Sequence, residues 1–214
     1  MPSNLTIIVA ATAKNGIGKN GKLPWHISKD LAFFSRATTS APQGSMNALF
    51  MGRATWESIP PAFRPLKKRI NAVLSRDEDY DLGKPRQDTP THVYQGLQTA
   101  VDNVTSLYNV HRLFITGGSS LYNETLGPST PLQADRILLT RIYAPDFDCD
   151  TFFPDLLGND NGIAWRRASH EELCAWVGEN LDVPVGIQVE NGVEFEFQMW
   201  LRSKGDSTAT NGCR

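Results

Sequence analysis

The strongest constraint on this chain is a unit that recurs along it: a short apolar run, a glycine, then a helix-forming segment. Arg112-Leu113-Phe114-Ile115-Thr116 runs into Gly117-Gly118-Ser119-Ser120, and Leu121–Leu126 then reads as a helix. Asn47–Met51 runs into Gly52-Arg53-Ala54-Thr55-Trp56-Glu57-Ser58-Ile59, a short helix that Pro60-Pro61 stops. Leu5–Ala11 is β-branched and apolar, and a glycine-rich loop from Lys14 to Lys22 follows it. Continuous apolar runs of this length are strands buried on both faces. Further strands are expected at 69–75, 91–94, 134–142 and 193–201. Helices are expected at 29–37, capped by Ser28, and from Gly96 to about Asn103. The alternation predicts an α/β, single-domain, three-layer sandwich around a mostly parallel central sheet. Segments 164–168 and 193–201 would add a C-terminal antiparallel strand pair. The domain is expected to span 1–204, with an excursion loop at 180–191 and a polar tail at 205–214.

A chain of 214 residues can bury about 70% of its unfolded surface, so its core needs neither disulfides nor metal. Lys and Arg number 21 against 23 Asp and Glu, which argues against a general nucleic-acid binder. Three cysteines, Cys149, Cys174 and Cys213, cannot close a disulfide framework, and a reducing, cytoplasmic setting is expected. No C-x-x-C pair seeds a zinc site, and Ser169-His170-Glu171-Glu172-Leu173-Cys174 lacks the second histidine of H-E-x-x-H, so it reads as a Ser-capped helix start. No apolar stretch approaches membrane-spanning length. No basic residue precedes Leu5–Ala13 to make it a secretion signal, so the N-x-T triplets at Asn4, Asn103 and Asn123 read as chance.

Four places could carry chemistry. Gly16-Ile17-Gly18-Lys19-Asn20-Gly21 matches G-x-G-x-x-G, but Pro24 blocks the helix that a dinucleotide fingerprint requires, leaving a hinged loop or a lid. Asp30 could complement a helix dipole, or could be an acid whose pKa is raised by desolvation. Gly52-Arg53-Ala54-Thr55 is either an ordinary turn or an anion seat. Gly117-Gly118 is either a tight turn or a place where backbone approaches a ligand at the strand's carboxyl end.

In this order the pieces resemble dihydrofolate reductase, of a eukaryotic, fungal type. The resemblance rests on Ile17-Gly18-Lys19-Asn20-Gly21-Lys22-Leu23-Pro24-Trp25, Asp30-Leu31 and Phe34, and Met51–Ile59. It continues through Arg64-Pro65-Leu66, Arg69-Ile70-Asn71, Leu74-Ser75-Arg76, Ile115–Tyr122 and Asp150-Thr151-Phe152-Phe153-Pro154. It implies a dihydrofolate reductase-like fold and NADPH-dependent reduction of 7,8-dihydrofolate, by hydride transfer to carbon 6 and protonation at nitrogen 5, serving one-carbon metabolism. Asp30 would be the acid of the pterin pocket, with Thr140 supporting its carboxylate and Trp25 holding a water. Ile8, Val9 and Thr116 would face the pterin, while Leu31, Phe34, Ile59 and Leu66 wall it in. Arg69 would fork the substrate's carboxylate, with Asn71 as structural support nearby. Ala10, Ile17 and Gly21 would line the nicotinamide side. Gly52, Arg53, Ala54 and Thr55, with Gly117, Gly118, Ser119, Ser120 and Leu121, would hold the phosphates. Ser75 and Arg76 would meet the adenosine 2′-phosphate, and Tyr122 would contact the cofactor near the nicotinamide.

The resemblance also implies cis peptides at Gly117-Gly118 and Arg64-Pro65, antifolate inhibitors as ligands, a monomer, and no nucleic-acid, membrane or metal partner. Thr116 departs from the family's usual Ile or Val, and segment 158–191 is longer than the compact family core and has no assigned role. The competing readings are a pterin or pyrimidine reductase on the same fold and a catalytically silent folate-binding or nucleic-acid-interacting protein. Arg69 favours a substrate with a carboxylate tail.

Overall fold

The computed structural model describes residues 5–84, 86–127, 130–155, 165–178 and 182–203. The expected tail at 205–214, the domain limit at 204 and Cys213 lie outside the described residues.

Strand β1 (Leu5–Thr12) lies at the centre of the sheet, parallel to β6 (Val110–Gly117) on one side and β7 (Ala134–Ala144) on the other. Beyond β6 come β3 (Met46–Gly52), β4 (Arg69–Leu74) and β5 (Thr91–Tyr94), all parallel. Beyond β7 the direction reverses: β11 (Val193–Arg202) runs antiparallel to it and also pairs with β9 (Trp165–Arg167) and β10 (Gln188–Glu190). The mostly parallel sheet and the β9–β11 antiparallel pair are as expected. β10 is an addition, since its stretch reads as loop: Pro184 and Gly186 mask a strand too short to show alternation.

Strand pleating sends alternate residues to opposite layers. Leu5, Ile7 and Val9, with Phe50 and Ile115, pack under α3 (Leu97–Leu107) and α4 (Ser119–Leu126). Ile8, Leu49, Met51 and Phe114 face the opposite layer, made by α1 (Ser28–Thr39), α2 (Arg53–Ser58) and α5 (His170–Val177). This double burial explains why the strands read as continuous apolar runs.

Of three local expectations, one is overturned and two hold. Ser28 does not cap α1: Ile27 holds the N-cap position, and Ser28 is already helical. The Gly16 motif starts no helix. It forms β2 (Gly16–Gly18), paired antiparallel with β8 (Thr151–Phe152). α5 does begin with a Ser169 cap, completed as a capping box by Glu172. Gly117-Gly118 and Arg64-Pro65 are both cis, and so is Ala144-Pro145, which carried no sequence signal.

Candidate functional site

Parallel strands open their carboxyl ends on one edge of the sheet, where ligands gather in open α/β folds. Along that edge runs a cleft of about 2180 Å³, more than twice the roughly 1,000 Å³ at the upper end for one drug-sized ligand. Every residue expected to touch substrate or cofactor lines it, from Ile8 and Val9 on β1 to Tyr122 on α4. Thr140 alone stands behind the wall. Leu23, Phe63 and Lys67 also line it, with no signal in the sequence that marks them as lining residues. Leu23 is 50% and Phe63 68% exposed, so both offer apolar surface along the cleft.

At one end of the cleft, Asp30 sits in the first turn of α1 and is the only buried acid among the described residues. Thr140, on β7, donates its hydroxyl to Asp30 Oδ1 at 2.6 Å. Desolvation pushes the Asp30 carboxyl up to about 6; the Thr140 bond pulls against that, and the negative charge of Glu190 adds to it. Trp25, just before the helix, is buried with its ring edge-to-face on Phe147, centroids 5.5 Å apart. Its indole N–H is buried and finds no acceptor among the described residues.

Asp30, Phe34 and Thr38 follow one another at four-residue spacing and so share a face of α1. Thr38 accepts from Arg69 Nη1 at 2.8 Å, and the carbonyl of Lys67 accepts from Arg69 Nε at 2.9 Å. Eight residues of helix rise separate Asp30 from the Arg69 anchor, about 12 Å. Arg69 is 6% exposed, and burial brings its pKa down to about 10, which leaves it a cation at neutral pH. It pairs with no carboxylate among the described residues, an arrangement that suits an incoming anion. Asn71 braces the approach: its amide group exchanges 3.0 Å hydrogen bonds with both backbone groups of Leu66.

The middle of the floor is backbone. Gly117 has φ of 122°, and a Cβ there would lie 3.2 Å from both Thr55 Oγ1 and Tyr122 Oη. Tyr122 is buried, donates to the Ile8 carbonyl at 3.3 Å, and has a phenol held well above its ordinary pKa by desolvation. Gly117→Ala is therefore expected to cost about 1–3 kcal/mol, from a backbone conformation that L side chains rarely adopt and from the crowding. An unchanged denaturant midpoint would contradict this. Gly118 starts α4 with no side-chain cap, leaving its first amides for a ligand. A Cβ at Gly52 would stand 3.8 Å from the Gly118 nitrogen, so Arg53 and Thr55 flank the same spot. Arg53 lies 3.6 Å from Glu57, an exposed pair of small energetic consequence. Ser75 is buried and accepts from the Asp77 amide at 3.1 Å, which leaves Arg76 exposed at the turn. Amides, Arg53 and Arg76 together suit a phosphorylated dinucleotide.

The roof is the β2–β8 flap. Asn20 donates its amide to Asp150 at 2.8 Å, and Lys19 pairs with Asp148 at 3.0 Å. A Cβ at Gly16 would come within 2.5 Å of Cys149 Sγ, so this glycine permits the close packing that seats the flap. Thr116, the residue that departs from the family pattern, turns its hydroxyl to the Phe50 carbonyl at 3.3 Å.

Residues 4–175 match the family model described as dihydrofolate reductase. The chain is 39% identical over 206 residues to the dihydrofolate reductase of Pneumocystis carinii, covering 93% of this chain and 97% of that one. It is 38% identical over 221 residues to that of Cryptococcus neoformans, covering 92% and 94%. Among solved structures, Schistosoma mansoni dihydrofolate reductase matches with a TM-score of 0.72 at 34% identity, over 94% of this chain and 99% of that one.

Proposed function

Because this chain belongs to the dihydrofolate reductase family and reduces dihydrofolate with NADPH, we propose that Asp30 and Arg69 divide the recognition of that substrate between the two ends of the cleft. The observation that carries the division is the helix face Asp30–Phe34–Thr38, which sets the buried Asp30 and the Thr38 anchor of the buried Arg69 apart by about 12 Å of helix rise.

When bound, NADPH supplies the hydride that reaches carbon 6 of dihydrofolate. Asp30 hydrogen-bonds the pterin's amino group and ring nitrogen and polarises the ring toward protonation at nitrogen 5. Thr140 fixes the carboxylate's orientation, and Trp25 holds the water that delivers the proton. Leu31, Phe34, Ile59 and Leu66 exclude other water from the pterin and benzoyl groups. Ile8, Val9 and Thr116 face the pterin from the strand ends. Arg69 receives the tail carboxylate in bidentate geometry. For the cofactor, Ala10, Ile17, Gly21 and Tyr122 border the nicotinamide. Arg53, Thr55 and the amides after Gly118 hold the diphosphate, while Ser75 and Arg76 hold the 2′-phosphate.

We further propose antifolate compounds as ligands of the same end of the cleft, a monomeric state, and work in the cytoplasm without nucleic acid. The net charge of −2 supports the last. No helix among the described residues is long and apolar enough to cross a membrane.

The deciding assay follows NADPH absorbance with dihydrofolate, with NADH run in parallel; absence of turnover would overturn the reading. Arg76→Ala is expected to cut the preference for NADPH over NADH by about 10- to 150-fold, the worth of charge-assisted hydrogen bonds of about 1.5–3 kcal/mol. Equal selectivity before and after the substitution would remove Arg76 from the 2′-phosphate site.

A further inference from the structure

Helix α1 carries the pterin-end acid, yet its own sequence does not secure its start. Ile27, at the N-cap, has no side-chain oxygen to offer, and no local side chain accepts from the first turn. The acceptor comes from across the sheet. Glu190, the last residue of β10, takes the Ser28 amide on Oε1 at 2.7 Å and the Lys29 amide on Oε2 at 3.0 Å. The partners are 162 and 161 residues apart. Both carboxylate oxygens are thus engaged by successive amides of the turn whose next residue is Asp30. β10 is itself held in register by β11, with Glu190 opposite Val193, and β11 pairs with β7, where Phe197 lies opposite Thr140. Both groups that fix Asp30, the Thr140 hydroxyl and the Glu190 clamp, are therefore mounted on the same three-strand unit.

We propose that Glu190 is a positioning residue of the reductase reaction: its carboxylate clamps the first turn of α1 and seats Asp30 against Thr140. This gives the elaborated segment before β11 a role in the chemistry. The proposal rests on the reading of Asp30 as the pterin-end acid. The groups around Asp30 are Thr140 from β7, Trp25 from the preceding loop, Lys29 beside it on α1, and Glu190 from β10. Among these, Glu190 is the charge that acts on the Asp30 carboxyl. Desolvation raises the Glu190 carboxyl itself, but hydrogen bonds from the Lys29 and Ser28 amides and the Ser28 hydroxyl, with the Lys29 charge, together hold it below its usual range, so it is ionised at neutral pH.

The test measures kcat/KM for dihydrofolate from pH 5 to 9 in the full chain, for the parent, Glu190→Gln, Glu190→Asp and Asp30→Asn. NADPH affinity and unfolding midpoints are measured alongside. Gln keeps the shape but removes the charge and one acceptor. It is expected to lower kcat/KM at pH 7 by about two- to thirtyfold, the range for a charge lost from a helix N-terminus, with NADPH affinity unchanged. Its acid limb should move to lower pH, because the negative neighbour that raises Asp30 is gone. Asp, which restores the carboxylate on a shorter arm, should recover part of both. A parent-like pH profile in Glu190→Gln, with or without a lowered unfolding midpoint, would overturn the proposal, since a merely structural cap moves stability and not the limb. If Asp30→Asn loses the limb while the Glu190 variants keep it, the clamp alone fails. If Asp30→Asn itself keeps parent activity and profile, the reading of Asp30 fails and takes the clamp with it.

Discussion

Asp30→Asn is expected to lower the rate of dihydrofolate reduction at pH 7 by about 10²- to 10⁴-fold, the usual contribution of a positioned acid–base group. NADPH binding should hardly change, because the positions proposed for the diphosphate and adenosine lie on other elements, around Gly118 and Arg76. The deficit should narrow as the pH falls, since dihydrofolate protonated from solution no longer depends on the carboxylate. Rates measured from pH 5 to 9 check this; a near-parent rate at pH 7 would remove Asp30 from the chemistry.

The same substitution is expected to stabilise the fold. A carboxyl whose pKa rises from 3.8 to about 6 on folding binds a proton more tightly in the native state. Its stability contribution is then present below about pH 4 and is lost as the pH rises through about 6. At pH 7 the ionised, buried group costs up to about 3 kcal/mol, at 1.36 kcal/mol per pH unit between the two values. Asn carries no such charge, so the variant's denaturant midpoint should exceed the parent's at pH 7 and approach it near pH 4. Stability gained together with activity lost marks a residue kept for function.

Arg69→Lys is expected to raise KM for dihydrofolate by about 10- to 150-fold with kcat little changed, the equivalent of about 1.5–3 kcal/mol. The parent guanidinium is held by Thr38 and the Lys67 carbonyl through Nη1 and Nε, which fixes the plane of the fork before substrate arrives. A lysine brings charge without that plane and leaves Thr38 without its donor. A pterin lacking the carboxylate tail should be handled equally by parent and variant. That comparison separates a folate reductase from a reductase of simple pterins: a parent enzyme indifferent to the tail would favour the second. An unchanged KM for dihydrofolate in the variant would release Arg69 from substrate recognition.

Much of this site was legible because its signals are local. Apolar runs ending at Gly52 and Gly117 announce strands that deliver backbone to a ligand edge, and the helix expected at 29–37 carries Asp30 in its first turn. The resemblance then supplied partners for Asp30 that no spacing could give. The errors are of one kind. Ser28 has the right chemistry for a cap, yet it is already the first helical residue, and its own amide and that of Lys29 are satisfied by Glu190 instead. Residues 188–190 read as loop because three residues carry too little pattern, and they become a strand only because β11 offers them a ladder.

The amino-acid sequence by itself determined the strand–turn–helix units and the inventory of acid, arginines and glycines. Periodicity and backbone preference are properties of neighbours along the chain. Tertiary structure alone decided the ionisation of Asp30, the clamp on its helix and the fork of Arg69. These depend on desolvation and on hydrogen bonds between residues 31 to 162 positions apart. Such energies come into being only when the sheet brings β4, β7 and β10 against the same helix.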